Sequence, residues 1–163
     1  MTVDELSDYG MVEMDDDEIQ GFLSSQTVGV LGLSTDDAPI MRPLSFSFDG
    51  ESCLYILYVL GSSSRKAELT DHADAARFLV YRADTPFNWS SVLLTGTIDE
   101  VSADERDEIQ DDIELRWRPD VFERASASEN TKLYQFTIED QVGLKHIGLP
   151  PELEPDSEEE SSG

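Results

Sequence analysis

The sequence predicts a mainly β domain, an antiparallel sheet or barrel with peripheral helices. Short apolar blocks recur between Phe22 and Ile147, several with period-2 alternation. Tight polar turns join many of them. Helical spacing appears in only three places, with no regular βαβ alternation, a pattern that disfavours a Rossmann-like arrangement. No GxGxxG follows a strand, and no P-loop sequence is present.

The first helix is expected from about Asp15. Glu18 stands three residues on, as in a capping box, and Ile19, Phe22 and Leu23 supply an i, i+3, i+4 stripe that ends before Thr27. Two strands follow, Val28 to Ser34 and Pro39 to Phe48, separated by the polar turn Thr35-Asp36-Asp37 and closed by Asp49-Gly50. Ser52 to Leu60 is nearly all apolar, which suits a strand covered on both faces. A short helix is expected from about Ser64 to Ala73. Phe78 to Arg82 and Ser91 to Val101 read as strands, and Gly96 inside the second marks a bulge or a close backbone approach. Ser102 and Glu105 form a capping box for a helix carrying Ile109, Ile113 and Trp117, ended by Pro119. Leu133 to Ile147 completes the domain as one long or two short strands. Positions 1–12 read as a frayed lead-in, 13–149 as the folded domain, and 150–163, rich in Pro, Ser and Glu, as a disordered acidic tail.

The 163 residues suit one domain and include 36 Asp+Glu against 11 Lys+Arg, a formal net charge of -25. Binding to nucleic acid or to an anionic membrane draws on clustered cations, and the only adjacent basic pair is Arg65-Lys66. Both partners are therefore excluded. An acid coat with lysine only at 66, 132 and 145 resembles the cytosolic proteins of extreme halophiles, where multimolar salt screens self-repulsion. The single cysteine, Cys53, excludes an intrachain disulfide and a thiolate zinc cluster, and reads as a buried spectator thiol. No basic residue precedes an apolar stretch at the N-terminus, and the longest apolar run, Cys53 to Leu60, is far shorter than the ~18 residues of a spanning helix. The expected compartment is the cytoplasm.

Candidate chemistry concentrates at Gly61-Ser62-Ser63-Ser64-Arg65-Lys66, just before or within the first turn of a helix. Two cations at the positive end of a helix are disfavoured unless an anion lies there. Backbone N–H groups, serine hydroxyls and both cations suit a phosphate. Pairing with the plentiful surface carboxylates is the competing reading. Arg42 adds to the case, because the alternate positions Ile40, Arg42, Leu44, Phe46 and Phe48 are apolar except for the arginine. A core-facing guanidinium needs a partner, whereas an arginine at a sheet edge near Pro43 does not. His72 and His146 lack metal-binding spacing and read as structural. No nucleophile elbow is present, and paired carboxylates cannot be singled out against so many acids. Trp89 and Tyr58 are suited either to stacking on a flat ring or to core packing.

Four stretches in chain order resemble the pyridoxamine 5'-phosphate oxidase-like, FMN-binding split β-barrel family. They are Pro39-Ile40-Met41-Arg42-Pro43-Leu44-Ser45, Tyr55 to Tyr58, Ser63 to Leu69, and Trp89 to Gly96. The likeness spans about Ile19 to Val101, and its most specific parts are the Ser64-Arg65-Lys66 element and the Ser91 to Gly96 strand. With its acid coat the chain looks like a haloarchaeal-type member. The resemblance implies an α+β, mainly β, split β-barrel of antiparallel Greek-key type. It puts Arg42, Ser64, Arg65 and Lys66 at the FMN phosphate and Pro43, Leu44 and Ser45 along the flavin, with Tyr58 or Val59 nearby. Ser91 stands where the oxidase proper has a glutamine. A homodimer with FMN in the intersubunit groove is also implied, some contacts coming from the second chain.

True pyridoxamine phosphate oxidases carry a lysine near the position of Ser47 and a C-terminal Arg-x-His, and this sequence has neither. The resemblance therefore implies the broader, nitroreductase-like group of flavoproteins acting on a small organic substrate. In such a protein no side chain need act as acid or base. A related branch binds a deazaflavin, and the sequence leaves open FMN, a deazaflavin-dependent reductase of the same fold, or a non-enzymatic flavin-binding or sensing module.

Overall fold

The computed structural model describes residues 10–59, 75–102, 104–105 and 131–148, with only the backbone at Tyr58, Val59 and Thr131. The expected helix from Ser64 to Ala73, most of the helix after Ser102 and the acidic tail lie outside the described residues. The described chain runs β1 (Met11–Glu13), α1 (Asp16–Ser25), β2 (Val28–Leu33), β3 (Ile40–Phe48), β4 (Cys53–Val59), β5 (Ala76–Thr85), β6 (Asn88–Glu100) and β7 (Thr131–Ile147).

All strand pairs are antiparallel, in the lateral order β1-β7-β4-β3-β2-β5-β6. A further pairing of β7 with β6 closes six of these strands into a barrel and leaves β1 as an appended strand. Closure removes two sheet edges. The closing strand is β7, a single strand of 17 residues. Its first half pairs with β4, its last residues pair with β1, and β6 runs along nearly all of it. Positions 11 and 12, expected in a frayed lead-in, are thus part of the sheet, with Met11 opposite His146 and Val12 opposite Lys145. Three residues are too few to show a period, so this strand is visible only through its partner.

The core follows from alternation. Leu31 and Leu33 of β2, Phe46 and Phe48 of β3, Leu54 and Ile56 of β4, Phe78 and Val80 of β5, Val92 and Leu94 of β6, and Tyr134 and Phe136 of β7 are all buried and fill one interior cluster. Phe78 sits at its centre, with its ring 5.4 Å edge-on from Phe46 and 6.2 Å from Phe136. Each such side chain contributes about 1.5–3 kcal/mol on burial. Across the β4–β7 ribbon, Tyr55 and Leu57 pack with Val101 and Leu133 in a smaller cluster, so β4 is covered on both faces as its composition predicts.

Helix α1 joins the interior cluster through Ile19 and Leu23. Asp15 caps it, accepting from the Glu18 N–H at 2.8 Å, and Asp16, Asp17 and Glu18 in the first turn favour its dipole. Two contacts hold it to β7: Lys145 pairs with Glu18, and the Gln141 amide donates to Asp16 at 2.9 Å. Gly143 makes room for it, since a Cβ there would lie 2.8 Å from both Met14 Cβ and Ile19 Cγ1.

Turn chemistry matches the sequence. Thr35 accepts from the Asp37 N–H and donates to the Ala38 carbonyl. The Asp49 carboxylate accepts from the N–H groups of Glu51, Ser52 and Cys53 at 2.8–3.1 Å, with Gly50 at φ 93°. A bulge falls at Gly96 as expected: Thr95 pairs with Asp140 and Gly96 with Ile138, leaving Glu139 as the extra residue. Ser102 Oγ accepts from the Glu105 N–H, the described part of the expected capping box.

Candidate functional site

A seam opens in the barrel where β3 and β4 part. Their ladder covers only Phe46 to Phe48 against Ile56 to Leu54, although β3 begins at Ile40 and β4 continues to Val59. Beyond Ile56, β4 stays paired with β7 as far as Val59 opposite Thr131, while Ile40 to Ser45 stay paired with β2. The backbone of Tyr58 and Val59 therefore borders the gap on one side, and residues 41–45 border it on the other.

Strand alternation decides which groups look into this seam. The Phe46 N–H donates to the Thr27 carbonyl at 2.9 Å, on the β2 side. The backbone groups of Leu44 and Arg42 share that direction, so those of Met41, Pro43 and Ser45 are directed toward the seam. Met41 and Ser45 offer N–H donors there, and Met41, Pro43 and Ser45 offer carbonyls. Pro43 has no N–H, and its place in a strand interior is tolerated because the missing donor falls where β3 has no ladder partner.

Arg42 lies at this edge. It continues the row of Leu44, Phe46 and Phe48, yet it is exposed, because the row runs past the covered part of the barrel. The core-facing alternative is thereby replaced by the sheet-edge one, and no buried partner is required. Its guanidinium donates to the Met41 carbonyl at 3.1 Å, one of the seam acceptors. Among the described residues Arg82 pairs with Asp84, Lys132 with Glu100 and Lys145 with Glu18, whereas no ion pair involves Arg42 or Arg77. In so acidic a chain, two cations with no acidic partner among the described residues are conspicuous.

The other residues implied by the resemblance are distributed as follows. Pro43 and Ser45 are exposed and Leu44 is buried against the core. Ser91 lies on β6 opposite Tyr81, with β2 and β5 between it and β3. In the closed six-strand barrel β3 and β6 lie three strand steps apart by either route, on opposite sides, so one barrel does not bring them together. Ser64, Arg65 and Lys66 lie outside the described residues.

The remaining candidates are structural. Trp89 is half-buried and packs 5.7 Å from the ring of His146, and that histidine is buried with Nδ1 2.9 Å from the Phe87 carbonyl. Cys53 is buried and accepts from the Gln135 amide at 3.1 Å. Among the described residues no group of three His, Cys, Asp or Glu is placed to hold a metal, and no helix is long and apolar enough to cross a membrane.

A feature absent from the sequence reading is a groove of about 500 Å³ on the outer face of β2, β3, β5 and β6, lined by Val30, Gly32, Met41, Arg77, Leu79 and Leu93 among others. The odd-numbered positions of β3 and β5 carried the signal: outward Met41 and Leu79 are apolar on strand faces that ordinarily expose polar residues.

Solved structures sharing this fold include an FAD-binding protein from Mesorhizobium loti, at 18% identity and TM-score 0.67 over 85% of this chain and 98% of that chain. An FAD and heme binding protein from Mycobacterium smegmatis matches at 17% and 0.69 over 94% and 80%. The flavocytochrome Anf3 from Azotobacter vinelandii matches at 18% and 0.62 over 91% and 73%. Among curated proteins none matches the sequence. The family model described as pyridoxamine 5'-phosphate oxidase matches residues 15–145, from the cap of α1 to Lys145 near the end of β7, and this chain belongs to that family.

Proposed function

We propose that the chain binds a flavin, FMN by preference, along the open edge of β3, and acts as a cytoplasmic, homodimeric oxidoreductase on a small organic substrate. The observation that carries this reading is the seam. Met41, Pro43 and Ser45 direct backbone donors and acceptors into it, beside an arginine with no carboxylate partner among the described residues. A flavin ring presents carbonyls and one ring N–H along its pyrimidine edge, which a strand edge of alternating N–H and C=O groups matches, and its phosphate matches a free guanidinium. Family membership and the flavin proteins among structures of this fold support the same reading.

In this arrangement Arg42, with Ser64, Arg65 and Lys66, holds the phosphate. The backbone of residues 43–45 orients the ring, Tyr58 or Val59 borders it, and Ser91 reaches it from the second subunit. A bound flavin supplies the electron or hydride transfer, while this chain supplies position and electrostatics.

The test is ligand titration at fixed high salt. Arg42→Ala, Arg65→Ala and Lys66→Ala each remove a charge-assisted contact worth about 1.5–3 kcal/mol. That corresponds to a loss of FMN affinity of roughly tenfold to hundredfold. Riboflavin, lacking the phosphate, changes little. Because Arg42 is exposed, its variant is expected to keep the wild-type melting temperature. Equal FMN affinity in all four proteins would reject the phosphate site. The absorption spectrum and mass of the cofactor released from purified protein separate FMN from FAD and from a deazaflavin. Anaerobic reduction with a nicotinamide donor and turnover with a nitroaromatic acceptor separate an enzyme from a binding module.

A further inference from the structure

The seam edge of β3 departs from a regular strand edge. Residues 41, 43 and 45 face it, so an unbroken strand would present N–H and C=O groups there in strict alternation. Two features interrupt the series. Pro43 has no N–H, and the Met41 carbonyl already accepts from the Arg42 guanidinium at 3.1 Å. Beyond Arg42 three groups remain, in the order Pro43 carbonyl, Ser45 N–H, Ser45 carbonyl. Both residues are exposed and precede the β3–β4 ladder, and neither takes part in a backbone hydrogen bond of the turns or loops among the described residues. The edge therefore reads acceptor, donor, acceptor. A ligand that satisfies all three groups must read donor, acceptor, donor.

Oxidised flavin contains no such triplet. Its one ring N–H, at N3, stands between the O2 and O4 carbonyls, and N1 and N5 beyond them are both acceptors. It can place a carbonyl on the Ser45 N–H and its N3–H on one flanking carbonyl, but the third position then sets a nitrogen lone pair against a peptide oxygen. Reduction changes that position. Hydride from a donor such as a reduced nicotinamide forms an N–H bond at N5 and leaves the donor oxidised, with N1 carrying the added charge or a solvent proton. The ring edge N5–H, O4, N3–H then reads donor, acceptor, donor.

We infer that the 43–45 edge discriminates between redox states, holding reduced flavin more tightly than oxidised flavin, and that Pro43 sets this preference. Any other residue at 43 would restore an N–H and give the sequence donor, acceptor, donor across residues 43–45. That pattern matches O4, N3–H and O2, which oxidised and reduced flavin share. Proline deletes the redox-blind match and leaves the redox-sensitive one. This inference rests on the flavin site proposed above and specifies how that site sets the cofactor's potential.

Midpoint potentials test it. The wild-type chain is loaded at fixed high salt with FMN or with 5-deaza-FMN, which has carbon in place of N5 and gains no N–H there on reduction. The shift in potential between free and bound cofactor gives the ratio of affinities for the two redox states. Protein charges act on both cofactors, so their difference isolates position 5. The preference for the reduced form is expected to be roughly tenfold greater for FMN than for 5-deaza-FMN, the scale of one hydrogen bond, which is about 30 mV for a two-electron couple. Pro43→Ala is expected to abolish that excess and to tighten binding of oxidised FMN, with a melting curve to establish that the variant is folded. Equal preferences for the two cofactors in wild type, or an undiminished excess in folded Pro43→Ala, overturns this inference. If Arg42→Ala still weakens FMN binding in that case, the flavin site stands. Failure of the wild-type chain to bind FMN overturns both. Should Pro43→Ala not fold, the comparison of the two cofactors in wild type decides.

Discussion

Gly96 lies so close to Thr137 on the neighbouring strand that a Cβ at position 96 would stand 1.9 Å from the Thr137 carbonyl oxygen. The contact sits at the bulge where the β6–β7 register shifts, on the pairing that closes the barrel. Backbone on both sides is held by the ladder, so neither strand yields easily. Gly96→Ala is expected to destabilise the fold by about 2–3 kcal/mol, in the range of overpacked cores. Urea denaturation measures this, and a loss below about 0.5 kcal/mol, within the range of neutral surface changes, would mean that the bulge relaxes freely.

His146 ties three elements together. The Phe87 carbonyl can only accept, so Nδ1 carries the proton of that 2.9 Å bond, and the ring packs against Phe87 and Trp89 while Met11 pairs across from it. His146→Phe keeps the ring contacts and removes one hydrogen bond, an expected cost of about 1 kcal/mol. His146→Ala removes the packing as well and is expected to cost about 2–4 kcal/mol. Equal melting temperatures for the two variants would show that the ring contacts contribute nothing.

Asp15 is exposed, and its side-chain hydrogen bond caps α1. Asp15→Ala is expected to cost about 1 kcal/mol, and Asp15→Ser only a few tenths. Circular dichroism melts of the pair check this. If serine does not recover the loss, the carboxylate acts through its charge rather than as a cap.

Salt should stabilise the protein. With a formal charge of -25, self-repulsion is screened over about 30 Å at 0.01 M ionic strength and about 3 Å at 1 M. The melting temperature is expected to climb steadily from dilute buffer into molar KCl. A flat profile would remove the halophilic reading of the acid coat.

Features governed by local chemistry were legible in the sequence. The cap at Asp15, the Thr35 and Asp49 turns, the Gly96 bulge and the main strands follow from side-chain hydrogen bonds, backbone sterics and alternation, all of which act within a few residues of one another. The stretch from Arg42 to Ser45 was also marked, through an arginine in an apolar row and through the family resemblance. Long-range pairing alone decided the rest. Whether Arg42 is buried depends on where the barrel's covering ends, and the period-2 row cannot report that. Met11–Glu13 is a strand only because the far end of β7 is there to pair with it. The seam that frees the β3 edge exists because β4 follows β7 while β3 follows β2, a competition between partners far apart in the chain. Such pairings depend on closing the barrel as a whole, so no single segment's composition encodes them.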